Sequence, residues 1–212
     1  VLSGVKHILI DEAQDLSLIQ HEILKKMFPR ARVTLLADTN QAIVAGINTV
    51  DTQALAKLYD AKIMVLDKSY RSTQEINTFA CKLLPEECRY EIFKRSGEAV
   101  EKKAGTLKDL ADLVVAEWDK RGNLAVITKT AGEARELHRL LVKDISGLRL
   151  CDNKSCALSN APVVMPLALT KGLEFDGVVV VDKNGSFTDN GNERYLYLAS
   201  TRALHKLNIF KI

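Results

Sequence analysis

Long hydrophobic runs are missing from this chain of 212 residues. Stretches such as residues 178–181 are far too short to cross a bilayer, so no membrane-spanning protein is expected. Proline (4) and glycine (11) are scarce, which excludes collagen-like and linker-type composition. Charge of one sign is also scarce: 30 Lys and Arg against 27 Asp and Glu leave +3, too little to announce a nucleic-acid binder. The cysteines number only four, Cys81, Cys88, Cys151 and Cys156. Their spacing matches no common zinc pair, so reduced thiols are expected rather than disulfides or a metal centre. The first residues have no basic start, long apolar middle or small-residue cleavage site, which points to a cytoplasmic protein. The chain starts at Val1, almost directly on a strand-like run, which suggests a piece of a longer polypeptide. At 47% hydrophobic and 27% charged residues, what is present is ordinary globular composition and not a disordered tail.

Apolar runs at residues 5–10, 33–37, 62–66, 124–128, 163–169, 178–182 and 207–212 read as strands. Helical spacing marks residues 17–28, 52–58, 73–84, 107–120, 131–143 and 193–203, with Ser17 placed to cap the first and Pro29 to stop it. Residues 86–103 carry charges of both signs and no clear period. Strands alternating with helices of ten to fifteen residues predict an α/β fold with an open, mainly parallel sheet. Such sheets bind ligands beyond the carboxyl ends of their strands, so the residues just after each apolar run are the first candidates.

Five constellations stand out. Asp11 and Glu12 follow the first strand; two adjacent carboxylates suit a Mg²⁺ ligand and a base for an attacking water, or simply acids at a helix start. Asp38 and Gln41 follow the second run, where a Gln can sense a phosphate or belong to a polar loop. Tyr70 can stack on a flat base and Arg71 can grip a phosphate through two bonds, or both can be ordinary surface residues. Gly172 permits close backbone approach and Glu174 can accept from a ribose hydroxyl, or the stretch is a turn between strands. Arg202, among apolar neighbours in a helical pattern, can stabilise charge on a transferring phosphoryl group or form a structural ion pair.

Together and in order, ILIDEAQD, LLADTNQAI, LDKSYRST, LTKGLEFD and YLYLASTRAL resemble motifs II to VI of the superfamily 1 helicases of the UvrD/Rep type. The wording of KSYRST and LTKGLEFD is most like the helicase IV subgroup, some members of which act on RNA polymerase. The resemblance implies RecA-like architecture, with residues 1–60 as the end of domain 1A and residues 61–212 as domain 2A. It implies ATP and Mg²⁺ as cofactors and single-stranded DNA as partner of a monomeric motor. By position, Asp11 matches the Mg²⁺ carboxylate, Glu12 the catalytic base and Gln41 the γ-phosphate sensor. Tyr70 matches the adenine-stacking aromatic and Arg71 the γ-phosphate contact. Gly172 and Glu174 match residues near phosphate and ribose, and Arg202 matches the arginine finger.

The departures bear on function. Ala37 replaces a usual Gly, and Pro166 and Ala168 replace a Thr and a His near single-stranded DNA in the family, which puts those DNA contacts in question. No G-x-x-x-x-G-K-[ST] occurs, so the loop that cradles phosphates on backbone N–H groups is not in these residues. The expectation is the C-terminal part of a helicase, inactive in isolation. A binding module that has lost catalysis and contacts a protein such as RNA polymerase is the alternative.

Overall fold

The computed structural model describes residues 4–38, 51–86, 89–152, 161–189 and 191–212. The side chain of Arg121 is outside this description, as are Gln41, Cys88 and Cys156. The chain divides into two compact units, Val1–Leu66 and Asp67–Ile212.

In the first unit, β1 (His7–Ile10) and β2 (Arg32–Leu35) pair in parallel, with Ile10 opposite Leu35. A 3₁₀ turn, Ala13–Asp15, leads into α1 (Leu18–Met27). Ser17 opens α1 with a capping box: its hydroxyl accepts from the Gln20 N–H, and the Gln20 side chain accepts from the Ser17 N–H. α2 (Thr52–Tyr59) starts on Asp51, whose carboxylate accepts from the Gln53 N–H. The two helices meet around His21, which is fully buried, bonds to the Ala13 carbonyl at 2.9 Å and lies beside Tyr59.

Residues 62–66 read as a strand in the sequence but are not one in the structure. Met64, Val65 and Leu66 are 80%, 80% and 87% exposed. A strand needs a neighbour to satisfy its amides, and no described residue pairs with this run.

The second unit carries β3 (Lys68–Ser69), α3 (Gln74–Cys81), β4 (Glu91–Ile92) and β5 (Glu101–Ala104). α4 (Leu107–Arg121), β6 (Leu124–Thr128), α5 (Ala131–Leu141) and β7 (Arg149–Leu150) follow. The chain ends with β8 (Val163–Pro166), β9 (Phe175–Asp182), α6 (Glu193–Ser200) and β10 (Ala203–Lys211). Six strands form one sheet in the order β5-β10-β9-β6-β8-β7, with every pair parallel. This is the α/β, mainly parallel architecture that the alternating pattern predicts. The charged stretch 86–103 supplies β4 and the edge strand β5, both too short and too polar to show a period.

Helices cover both sheet faces, which is why β6, β8 and most of β9 are buried along their length. On one face Leu110 and Val114 of α4, and Leu137 and Leu141 of α5, pack on Val126, Val164, Val179 and Phe210. α3 and α6 pack together and against β10 and β9. Cys81 and Cys151 are buried free thiols. No helix among the described residues is long and apolar enough to cross a membrane.

Two polar features lie within this sheet. Lys206 is buried in β10 and its ammonium reaches the Glu101 carboxylate and, at 3.3 Å, that of Glu98. Lys103 also binds Glu101, at 2.7 Å. The bonds from Lys103 and Lys206 hold the Glu101 carboxyl down from 4.5 to about 2. Its contribution to stability is therefore full above about 4.5 and is lost as pH falls through about 2. Glu101→Gln should lower the urea midpoint at neutral pH, and its gap to the wild type should close between those two values. Asn208 is the second feature: it is buried, and among the described residues neither its amide nitrogen nor its oxygen has a hydrogen-bond partner. Asn208→Val removes the unsatisfied pair and suits a strand, so it should stabilise the second unit by about 1 kcal/mol. Urea unfolding followed by fluorescence of Trp118, the single tryptophan, would show this.

Candidate functional site

The candidate residues fall into two groups, one in each unit.

In the first unit, Asp11 and Glu12 stand at the carboxyl end of β1, where a parallel sheet is expected to place a ligand. Glu12 has φ 53° and ψ 41°, the left-handed region that costs a non-glycine residue roughly 1–2 kcal/mol. Several bonds enforce it. The Glu12 N–H donates to Asp11 Oδ1 at 2.8 Å, and the Ala13 N–H donates to the Leu36 carbonyl at 2.9 Å. Gln14, which is buried, donates from Nε2 to Glu12 Oε2 at 2.6 Å and accepts the Asp38 N–H on its carbonyl oxygen at 3.1 Å. Gln14 thus ties the tip of β1 to Asp38, three residues past β2, and aims the Glu12 carboxylate. The sequence alone gives Gln14 no role of its own beyond its place in the DEAQD run. Asp11 is exposed, and Mg²⁺ characteristically takes one or two carboxylates plus phosphate oxygens and waters, so the residues here fit that ion. Gln41 lies outside the described residues.

In the second unit, the residues gather at the amino ends of β9 and β10. This corrects the expectation that the tips after the apolar runs would carry the site throughout. Glu174 immediately precedes β9 and Arg202 immediately precedes β10. The Phe175 N–H donates to the Arg202 carbonyl at 2.9 Å, so both residues lie on one edge of one sheet. Arg71 joins them: its Nε lies 2.8 Å from Glu174 Oε1. The backbone beside Arg71 is fastened to β10 by Ser72 Oγ donating to the Ala203 carbonyl at 2.6 Å, and by the Thr73 N–H donating to the Leu204 carbonyl at 3.2 Å. The carboxyl end of β9, in contrast, is closed by its own turn. Asp182 is fully buried there and accepts from the Phe187 N–H and the Thr188 hydroxyl.

Individual residues differ from expectation in informative ways. Arg71 and Glu174 have side chains 49% and 40% exposed. A pair so exposed contributes roughly 0–1 kcal/mol, so either partner can exchange the other for a ligand at small cost. Tyr70 is 60% exposed, and its ring packs 5.1 Å from that of Phe93 at 40°, leaving ring surface open for stacking. Gly172 has φ +74°, and a Cβ there would meet nothing within 4 Å. Within the chain, glycine is therefore required for backbone conformation, rather than for close approach of a neighbour.

Arg202 lies in the turn after α6, not on a helix running to residue 203. It is 3% exposed. Its Nε donates to the Leu198 carbonyl and an Nη to Thr201 Oγ1, both at 3.3 Å. A cation against the last carbonyls of a helix is favoured by the helix dipole.

Comparison with known proteins fits this geometry. Residues 2–45 match the UvrD/REP helicase N-terminal domain, and residues 164–210 match the UvrD-like helicase C-terminal domain. A protein of Acanthamoeba polyphaga mimivirus, named as an ATP-dependent DNA helicase, is 28% identical over 97% of this chain. The chain spans about a third of that protein, 34% of its length. A crystal structure described as the C-terminal domain of a possible DNA helicase from Lactobacillus plantarum WCFS1 superposes with a TM-score of 0.57 at 25% identity. It covers 68% of this chain and 88% of its own. Both ends of the chain are thus similar to UvrD-like helicases, and its second unit has an α/β fold like that of a helicase C-terminal domain.

If Gln14 aims Glu12 as described, Gln14→Ala should release that carboxylate with little effect on the second unit. The check is a crystal structure of the variant, in which Glu12 is expected to leave its position beside Asp11 while the Trp118 unfolding transition stays unchanged.

Proposed function

We infer that this chain is the C-terminal part of an ATP-dependent DNA helicase or translocase of the UvrD/Rep type, and that the motor moves on single-stranded DNA inside the cell. The observation that carries this reading is the gathering of Arg71, Glu174 and Arg202, from three distant segments, at one edge of one sheet. Two arginines and a glutamate at one edge suit the phosphates and ribose of a nucleotide. The wording of the motifs around Arg71 and Glu174 favours the helicase IV subgroup.

In this reading Asp11 holds Mg²⁺, and Glu12 takes a proton from the attacking water, with its carboxylate directed by Gln14. Magnesium supplies charge neutralisation on the phosphates when bound. Gln41 senses the γ-phosphate. Tyr70 stacks on adenine, Arg71 grips the γ-phosphate, Gly172 shapes the turn beside it and Glu174 accepts from ribose. Arg202 stabilises charge on the transferring group, exchanging the Leu198 carbonyl for phosphate oxygens as it does so. The first unit is then the end of a first motor domain. Its two-stranded parallel sheet and the exposed Leu9, Ile19 and Ile23 support that, because parallel sheets are normally covered on both faces. Strands and a phosphate loop from the rest of the polypeptide would complete it.

The test uses the full-length protein. Glu12→Gln should lower DNA-stimulated ATP turnover by about 100-fold or more, and Arg202→Ala by roughly 10³-fold. The 212 residues alone should neither hydrolyse ATP nor bind it tightly. DNA-stimulated turnover by the isolated chain, abolished by Arg202→Ala, would sink the reading.

A further inference from the structure

Arg95 belongs to none of the motifs, yet its side chain reaches the backbone at the centre of the second cluster. One Nη donates to the carbonyl of Arg71 at 2.9 Å. The other lies 2.9 Å from Nδ1 of His205. The same nitrogen lies 3.4 Å from His205 Nε2, which is itself 3.6 Å from Asp176 Oδ1. Asp176 is the second residue of β9, two positions after Glu174, and His205 is three positions after Arg202. Arg95 therefore ties β10, through His205, to the peptide of Arg71, and meets β9 only indirectly, through the His205–Asp176 contact.

The neighbours of Arg95 tighten the same grip. Its own carbonyl accepts the Gln74 N–H at 2.7 Å, at the start of α3. The Gly97 N–H donates to Glu75 Oε2 at 2.8 Å. A Cβ on Gly97 would lie 2.3 Å from Cγ2 of Thr73, so only glycine lets this segment close on the one that follows Arg71. The Phe93 N–H donates to the Ser69 carbonyl at 3.2 Å, and its ring backs Tyr70. Residues 93–97 thus form a brace along residues 69–75. Only one of these contacts ends on the peptide of Arg71, and it comes from the Arg95 side chain.

We propose that Arg95 is a positioning residue for Arg71: by holding the Arg71 carbonyl between His205 and the brace, it sets the direction in which the Arg71 side chain leaves the backbone. The proposal rests on the reading of Arg71 as a phosphate contact. Without Arg95 that carbonyl loses a charge-assisted bond, the peptide after Arg71 can rotate, and the Arg71 fork drifts from the line it shares with Glu174. A misplacement on the order of 1 Å costs a catalytic constellation up to about 100-fold. Lysine cannot replace Arg95, because one ammonium does not span two acceptors in the fixed geometry of a fork.

A double-mutant cycle on the full-length protein tests this. The readouts are kcat/KM for DNA-stimulated ATP hydrolysis and the affinity for a fluorescent non-hydrolysable ATP analogue. Arg95→Ala should lower both by roughly tenfold, within the range expected for misplacement. In an Arg71→Ala background it should cost less than about twofold more, because residues acting as a unit are not additive. Arg95→Lys, which keeps charge and bulk, should show an intermediate loss that vanishes in the same background. It serves as the test if the alanine variant fails to fold. Equal fold-losses in both backgrounds would make Arg95 merely structural and overturn the proposal. So would a full-strength Arg95→Ala beside an impaired Arg71→Ala. Unchanged turnover in Arg71→Ala would instead remove the reading of Arg71 itself, and the proposal with it.

Discussion

The parallel pairing of β9 with β10 is the constraint on which the second unit depends. These are the longest strands, paired from Ala203 opposite Phe175 to Lys211 opposite Asp182. Val178, Val179 and Val180 are buried, and the two strands keep one register from Lys206 opposite Gly177 to Lys211 opposite Asp182. Its consequence appears at the amino ends, where the last residues before each strand, Glu174 and Arg202, are forced into adjacent positions. A polar site is placed by an apolar match several residues away. The register slips only between Ala203 and Lys206, and that irregularity includes His205, which faces Arg95.

The first unit is organised on a different principle. Among the described residues its sheet has two strands and a thin core, and hydrogen bonds hold the tip of β1. The left-handed Glu12 is the cost of that arrangement. Strain of this size persists only where surrounding bonds over-determine it, and here three sets do: the Asp11 carboxylate, the Leu36 carbonyl and the Gln14 amide. Two adjacent carboxylates with one of them locked in direction is a poor way to build a turn.

Local chemistry made much of this legible in the sequence. Ser17 marks the start of α1, and the apolar face of residues 107–120 marks α4, because caps and periodicity are read within one or two turns. The parallel sheet followed from the alternation of elements. What could not be read depended on distant partners. Residues 62–66 have the composition of a strand, but a strand exists only with a neighbour. The general preference for carboxyl ends misplaced the second cluster, since it describes where crossovers usually leave room. Here Asp182 and its turn fill that room at β9. Arg95 was invisible for a simpler reason: its acceptors are 24 and 110 residues away, and an arginine in a charged stretch looks like any other.

The burial of Arg202 bears on how such a site could be switched. An arginine facing solvent loses hydration when it meets a phosphate, and that loss offsets part of the attraction. Arg202 has already left water, and its partners include the Leu198 carbonyl and the Thr201 hydroxyl. Both bonds are long, at 3.3 Å, and both acceptors are neutral. A hydrogen bond to an ionised acceptor is roughly twice as strong as one between neutral groups. Exchanging a carbonyl for a phosphate oxygen is therefore favourable only when phosphate charge is presented, and small otherwise. The same logic applies to Arg71, whose exposed partner Glu174 is a weak holder. The two arginines differ in their surroundings: Arg202 is buried against the end of α6, whereas Arg71 is half exposed in an ion pair with Glu174.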